Sequence, residues 1–256
     1  MSKNQIKLVN SLKILKYRRL HQQFIAEGSK LVLDLLESSF KTDLIFATKD
    51  WIDTYHTQIL KHHAQLFPVS ETEMARISGL STPTSVLAIV NIPAPRLIEE
   101  IRFDDLILAL DQISDPGNMG TIIRTADWFG VKDIICSADC VEVFNPKVIQ
   151  STMGSITRVR ITSFDLSDLE HYIPSDFPVY GAFLEGESII KEPLSRKGLI
   201  IMGNESKGIS QKINPLIKHK IHIPSYSYGS ENSDKAESLN VAVATAIILF
   251  EFRKKN

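Results

Sequence analysis

Three stretches of this chain set amide, cationic or carboxylate side chains beside turn residues where apolar runs end. In the first, LALDQISDPGNMGTIIRTADWFGVKDII over residues 108–135, the apolar run Leu106–Leu110 stops at Asp111, and Asp115, Pro116 and Gly117 turn the chain. Asn118 suits the cap of the helix that follows. Met119, Ile122, Ile123, Ala126 and Phe129 share one face of that helix, and Arg124 lies opposite. Helical side chains lean toward the N-terminus, so the Arg124 guanidinium and the Asn118 amide are expected to converge at the strand end, where open α/β sheets bind their ligands. In the second stretch, LIIMGNESKGIS over 199–210, an apolar strand runs into Gly203, and Glu205 offers a carboxylate before Gly208 closes the loop. Gly203 and Gly208 have the separation of a phosphate loop, but Ile209 stands where that loop needs lysine. In the third, IHIPSYSYGSENSDKAESLNVAVATAIILFE over 221–251, a strand ends at Pro224 and a helix opens at Ser238-Leu239-Asn240. Ser238 is the expected N-cap. Only Asn240 and Thr245 are polar between Leu239 and Phe250, so Asn240 is either hydrogen-bonded inside the fold or part of a site.

The elements that must carry these residues alternate. Strands are predicted at Leu106–Leu110, Asp133–Cys136, Val159–Ile161, Val179–Phe183, Leu199–Met202 and Lys220–Ile223. Helices are predicted at Met119–Phe129, Pro146–Met153, Leu166–Tyr172 and Leu239–Arg253. That alternation predicts an α/β domain around a mainly parallel sheet. Pro93 and Pro95 mark a linker, which divides the chain into residues 1–100 and 101–256. Within the first part, residues 1–37 read as helical, with a second helix at Ser29–Leu36. Short strands are predicted at Asp43–Thr48, Phe67–Ser70 and Val86–Val90, and helices at Thr54–His63 and Glu71–Ser78.

The motifs carry a resemblance. DPGNMGTIIRTADWFG is similar to the first signature of the TrmH/SpoU-type RNA ribose 2′-O-methyltransferases, which belong to the knotted SPOUT class. GNESKG resembles their G-x-E-x-x-G motif, and IP…ESLNVAVA resembles their cofactor loop. RRLHQQFIAEGSKLVLDLL, with its Phe24, Glu27 and Gly28, resembles the start of the small ribosomal-protein-like domain that precedes the catalytic domain in many of these enzymes. The resemblance implies a trefoil knot near the C-terminus, a homodimer, and S-adenosyl-L-methionine as methyl donor. By carry-over it makes Arg124 the central catalytic residue, with Asn118, Glu205, Ser238 and Asn240 completing the hydrogen-bond set. Gly203, Ile223 and Leu239 would contact the cofactor through main chain, and Ala182 would form another wall of its pocket. Arginine is a poor general base, because its pKa exceeds about 12, so Arg124 is expected to hold a phosphate, orient the 2′-OH and favour the alkoxide. Two departures stand out. The loop from Pro224 to Ser238 is long and polar, and NPKVIQSTMGS (145–155) has Gln150 where the family's N-P-K-x-x-R-x-S-M-G-S has arginine, while Asn145 and Ser155 are kept.

Composition sets the remaining bounds. The chain has 256 residues, 43% hydrophobic and 23% charged, with a net charge of −1, as expected of a globular protein. Residues 1–30 nonetheless carry +6, and Lys16, Arg18 and Arg19 there, with Lys147, are the expected RNA contacts. Cys136 and Cys140 read as two reduced thiols, and His62-His63 lacks metal-ligand spacing, so no metal is expected. No apolar stretch resembles a signal peptide or a membrane span, and the expected location is the cytoplasm. RNA is the expected polymer, ribosomal rather than transfer by analogy. A transfer-RNA ribose methyltransferase and a non-catalytic RNA-binding protein on the same fold are the competing readings. A nucleotide-dependent oxidoreductase ranks behind both, since no G-x-G-x-x-G follows a strand.

Overall fold

The computed structural model describes residues 1–191, 193–226 and 237–254. The chain packs as two units, residues 1–94 with 142–157, and residues 95–141 with 158–256. The first unit therefore takes in the NPKVIQSTMGS element, which lies far from it in sequence.

In the first unit, α1 (Lys3–Ser11) and α2 (Leu15–His21) precede β1 (Gln23–Glu27), α3 (Ser29–Leu36), β2 (Thr42–Ala47), α4 (Lys49–Ile59), β3 (Gln65–Pro68), α5 (Glu71–Ile77) and β4 (Val86–Asn91). The sheet order is β1-β4-β2-β3, antiparallel except for the parallel β2–β3 pair. β1 falls inside the stretch read as helical. Its QFIAE sequence has four consecutive buried residues, which Ile25↔Ile89 and Phe24↔Val90 pairing with β4 satisfies as a strand. Short apolar runs of this kind are ambiguous by periodicity, and the partner strand decides. The E-G of the F-x-x-E-G string is a structural fastening. Glu27 is buried and accepts hydrogen bonds from the Ser78 hydroxyl and the Gly79 N–H, at 2.6 and 2.8 Å.

In the second unit, β5 (Leu106–Leu110), α6 (Pro116–Trp128) and β6 (Asp133–Cys136) come first. The segment that joins the first unit contains α7 (Pro146–Thr152). Next come β7 (Arg160–Ser163), β8 (Val179–Ser188), β9 (Gly198–Met202), β10 (His219–His222) and α8 (Val241–Lys254). The six strands are all parallel, in the order β10-β8-β9-β5-β6-β7. Every residue of β5, β6 and β9 is buried, as parallel strands covered on both faces require. Of the helix expected over Leu166–Tyr172, the segment Leu166–His171 is 3₁₀, its start held by the Asp165 carboxylate on the Ser167 N–H. The order reverses between β9 and β5, so the loops leaving the C-terminal ends of these two central strands flank the crevice where such sheets bind ligands.

Candidate active site

The loop after β5 ends in a cap. Asp115, rather than Asn118, caps α6. Its carboxylate accepts the Asn118 N–H at 2.8 Å, and Pro116 fills the first helical position, where no N–H is needed. This frees the Asn118 side chain for tertiary bonds. Asn118 Nδ2 donates to Glu205 Oε1 at 2.5 Å, and Asn118 Oδ1 accepts from Asn240 Nδ2 at 2.9 Å. Asn240 Oδ1 accepts the N–H groups of Ala242 and Val243 at 3.0 and 3.3 Å, so Asn240, not Ser238, caps α8. The polarity of this chain is forced at both ends. A carboxylate only accepts and a backbone N–H only donates, which leaves each amide one orientation. Three stretches distant in sequence thus meet at one point, and α6 packs along α8 behind it.

The loop after β9 is held rigidly to the loop after β5. Asn204 Nδ2 donates to the Gln112 carbonyl at 2.8 Å. Asn204 Oδ1 accepts the N–H groups of Ser206 and Lys207, and Asn204 and Gly208 exchange main-chain bonds. A Cβ at Gly203 would lie 2.4 Å from the Gly208 carbonyl carbon and the Ile209 nitrogen, so the turn closes only with glycine there. Asp111, fully buried, accepts the Ser210 N–H through Oδ2 at 2.7 Å. Asp111, Asn204 and Asp115 do this fastening, and none of them stands out by residue type. The only sequence signal is their place at strand ends and turns.

Arg124 lies on the exposed side of α6, and among the described residues its side chain forms no hydrogen bond or ion pair. It stands six residues beyond Asn118, about 9 Å along the helix. The expected convergence of guanidinium and amide is therefore not a direct contact, and Arg124 is left free to receive an anion. Ser238 is exposed and off the network.

Gly203, Ile223 and Leu239 each begin or end a loop at the strand ends, and among the described residues their main-chain N–H and C=O groups have no hydrogen-bond partner. Gly203 and Ile223 are half-buried and Leu239 is exposed, and unpaired main chain of this kind is a donor and acceptor set for a ligand. Ala182 does not end β8. The strand continues to Ser188 across a register break, with Gly181 opposite Lys220 and Glu187 opposite Ile221, and Ala182 sits where the ladder opens. Most of the long polar loop, 227–236, lies outside the described residues.

The expected RNA contacts separate. Lys16, Arg19 and Lys147 are exposed. Arg18 is not available to phosphate. It is 2% exposed, donates to Glu142 Oε2 at 2.7 and 2.9 Å and to the Leu12 carbonyl at 2.9 Å, and so neutralises a carboxylate inside the first unit. Lys147 belongs to the same unit, on α7, whose Asn145 cap accepts the Lys147 N–H. Gly154, at φ +96°, leaves no room for a Cβ, which would stand 2.0 Å from Asp34 Oδ2.

At the end of β6 the two thiols differ. The neighbouring Cys136 thiol above all, with the Ser137 hydroxyl 3.6 Å from its sulfur and the Ile113 main chain, pulls the Cys140 thiol down to about 7, while its own S–H reaches the Leu110 carbonyl at 3.2 Å. The same thiol–thiol bond, with burial, pushes Cys136 well above its ordinary value. Among the described residues no cluster has the ligands for a metal ion, and no helix is long and apolar enough to cross a membrane.

Comparison with known proteins bears on the family and the fold. Residues 105–250 match the SpoU rRNA Methylase family, and residues 3–88 match the MRM3-like substrate binding domain. The chain is 28% identical, over 97% of its length and 99% of the relative's, to the 23S rRNA (guanosine(2553)-2'-O)-methyltransferase RlmP of Bacillus subtilis. A structure from Porphyromonas gingivalis assigned to the TrmH family of RNA methyltransferases superposes with a TM-score of 0.88 at 36% identity, covering 100% of this chain and 99% of that one. An AdoMet-bound rRNA methyltransferase from Sinorhizobium meliloti superposes at 0.85 with 27% identity, covering 99% of this chain and 95% of the other.

Proposed function

The chain belongs to the SpoU rRNA Methylase family, and from that premise we propose that it methylates a ribose 2′-OH of large-subunit ribosomal RNA with S-adenosylmethionine as donor. The observation that carries the reading is the Glu205–Asn118–Asn240 chain, which ties all three signature stretches together where the sheet order reverses.

The unpartnered main-chain groups of Gly203, Ile223 and Leu239 fit the cofactor and would hold it, with Ala182 at the edge of its pocket. When bound, S-adenosylmethionine would supply its electrophilic sulfonium methyl to the 2′-oxygen, the O–C bond forming as the C–S bond breaks, with S-adenosylhomocysteine as leaving group and the hydroxyl proton passing to water. The protein's work is to align and to stabilise charge. Arg124, with its guanidinium unspent, holds a phosphate of the target nucleotide and favours the alkoxide that forms beside it. Ser238 is offered as a further donor at the mouth of the site. Glu205 is held by Asn118 and cannot swing away. Lys16, Arg19 and Lys147 supply phosphate contacts from the first unit, each adding to the salt dependence of binding.

The assembly is a homodimer. Leu239, Val243 and Phe250 on and before α8, and Trp128 on α6, are large apolar side chains 47%, 50%, 53% and 85% exposed, and a second copy of the same surface would cover them. The trefoil knot of the SPOUT class and a cytoplasmic location complete the reading. The test is to map 2′-O-methyl groups in total RNA from cells with and without the gene, then to transfer a labelled methyl to the unmodified RNA with purified protein. One ribosomal site is expected to disappear and be restored. A profile identical in both cells would reject the reaction.

A further inference from the structure

Beside the Glu205 network the second unit holds a polar cleft of about 600 Å³, lined by Gln112, Ser114, Asp139, Asn204, Ser206 and Lys207. That volume falls in the range of small-ligand pockets, but no apolar side chain lines it, unlike most such pockets. It lies over the ends of β5, β6 and β9, and Asn204 and Ser206 flank Glu205 directly in sequence.

One wall of the cleft is under backbone strain. Gln112 has φ +57°, the left-handed region that non-glycine residues rarely occupy. It is clamped there from both sides, its N–H donating to Ser137 Oγ at 3.0 Å and its carbonyl accepting from Asn204 Nδ2 at 2.8 Å. Strained residues persist where the surroundings over-determine them, and they cluster at binding sites. Asn204 is spent on holding the loop. The side chains of Gln112, Ser114, Asp139, Ser206 and Lys207 form no hydrogen bond or ion pair among the described residues.

We propose that this cleft receives a base of the RNA, the target's or its immediate neighbour's, and that Asp139 and Gln112 select guanine. The inference rests on the ribosomal RNA methyltransferase reading for its polymer and on the cleft's own groups for the base. A carboxylate is acceptor only, and among the four bases guanine alone presents two adjacent N–H donors, N1–H and the N2 amino group, on its Watson–Crick edge. Asp139 takes that edge. Lys207 matches the O6 carbonyl or the adjoining phosphate, and the Gln112 amide matches the remaining polar edge.

The test has two arms. Backbone-amide NMR of the wild type is titrated with GMP, IMP, AMP and UMP. GMP is expected to shift the amides of Gln112, Asp139 and Lys207 and to saturate at the lowest concentration. IMP lacks the N2 amino group and is expected to bind more weakly, and Asp139→Asn should lose the preference. In turnover, Asp139→Asn and Gln112→Gly are expected to raise the KM for RNA roughly ten- to hundredfold, the range of one bidentate base contact, with S-adenosylmethionine affinity unchanged. Gln112→Gly keeps the loop conformation without strain, so it should fold at least as stably as the wild type, which separates base contact from structural support. GMP-selective shifts in a protein that transfers no methyl to ribosomal RNA would support the base site and defeat the reaction proposed above. Cleft amides unmoved by all four nucleotides, or wild-type KM in both variants of an active enzyme, would overturn the base site.

Discussion

Asn240 donates to Asn118 across 2.9 Å while its own oxygen caps α8, so one amide both starts the last helix and fixes the side chain that holds Glu205. Two consequences can be separated by substitution. Asn240→Ala removes the cap and should cost about 1 kcal/mol of stability. Asn118→Asp keeps shape but replaces the donor facing Glu205 with a second carboxylate. It is expected to depress methyl transfer strongly at neutral pH and to recover in part as pH falls and one carboxyl takes a proton. A pH–rate profile of Asn118→Asp parallel to wild type would contradict the assigned polarity.

Arg124 is expected to be needed for transfer and for little else. Its side chain is exposed and makes no hydrogen bond or ion pair among the described residues, so Arg124→Ala should leave the melting temperature and S-adenosylmethionine affinity near wild type. Labelled-methyl transfer to RNA should be abolished. Retained turnover would remove Arg124 from the site.

Much of this was legible in the sequence because apolar runs, turn residues and motif spacing are local. Leu106–Leu110 and Asp133–Cys136 occur with the bounds that their β-branched and aliphatic runs suggest. What stayed hidden depends on partners far along the chain. β1 looks helical until β4 lies against it. Arg18 looks like a phosphate ligand until Glu142 reaches it from 124 residues away. The caps show the same limit in miniature. Asp115 and Asn118 are both good cap residues, as are Ser238 and Asn240. Which one caps is settled by what the other must hold, and Pro116, suited only to the first helical turn, is the one local clue that favours Asp115.

Arg18 and its neighbours should respond in opposite ways. Arg18→Ala leaves Glu142 without its ion partner and is expected to destabilise by about 3 kcal/mol, the low end for breaking a buried pair. Lys16→Ala with Arg19→Ala should leave stability within about 0.5 kcal/mol but weaken RNA binding and lower its salt slope by about 1.4, since each phosphate contact to a single strand contributes about 0.7. Denaturant melts and filter binding at several salt concentrations read both. A salt slope unchanged by the double substitution would place the RNA elsewhere.

Gly203→Ala should disable the loop without replacing a catalytic side chain. The added methyl would meet backbone atoms of Gly208 and Ile209 at 2.4 Å, and backbone cannot rotate aside. The loop must open, the Asn204–Gly208 bonds must lengthen, and Glu205 must leave Asn118. The expected result is at least a tenfold loss of S-adenosylmethionine affinity, together with a loss of about 1–3 kcal/mol of stability from overpacking. Titration calorimetry with wild-type affinity would contradict the placement of the cofactor against this turn.

The two cysteines should titrate apart. Cys140, held near 7 by the polar groups around its sulfur, should react with iodoacetamide half-maximally near that pH, while buried Cys136 stays unlabelled in the folded protein. The sign for stability follows from the same shift. A thiol whose folded pKa is depressed below its unfolded value of about 8.5 contributes stability above that value, and the contribution is lost as pH falls through 7. Cys140→Ser should therefore flatten the rise in melting temperature between pH 7 and about 8.5, above which ionisation of the unfolded Cys136 thiol works the other way. Mass spectrometry of peptides labelled across that range identifies the reactive thiol, and equal labelling of both cysteines at pH 7 would refute the asymmetry.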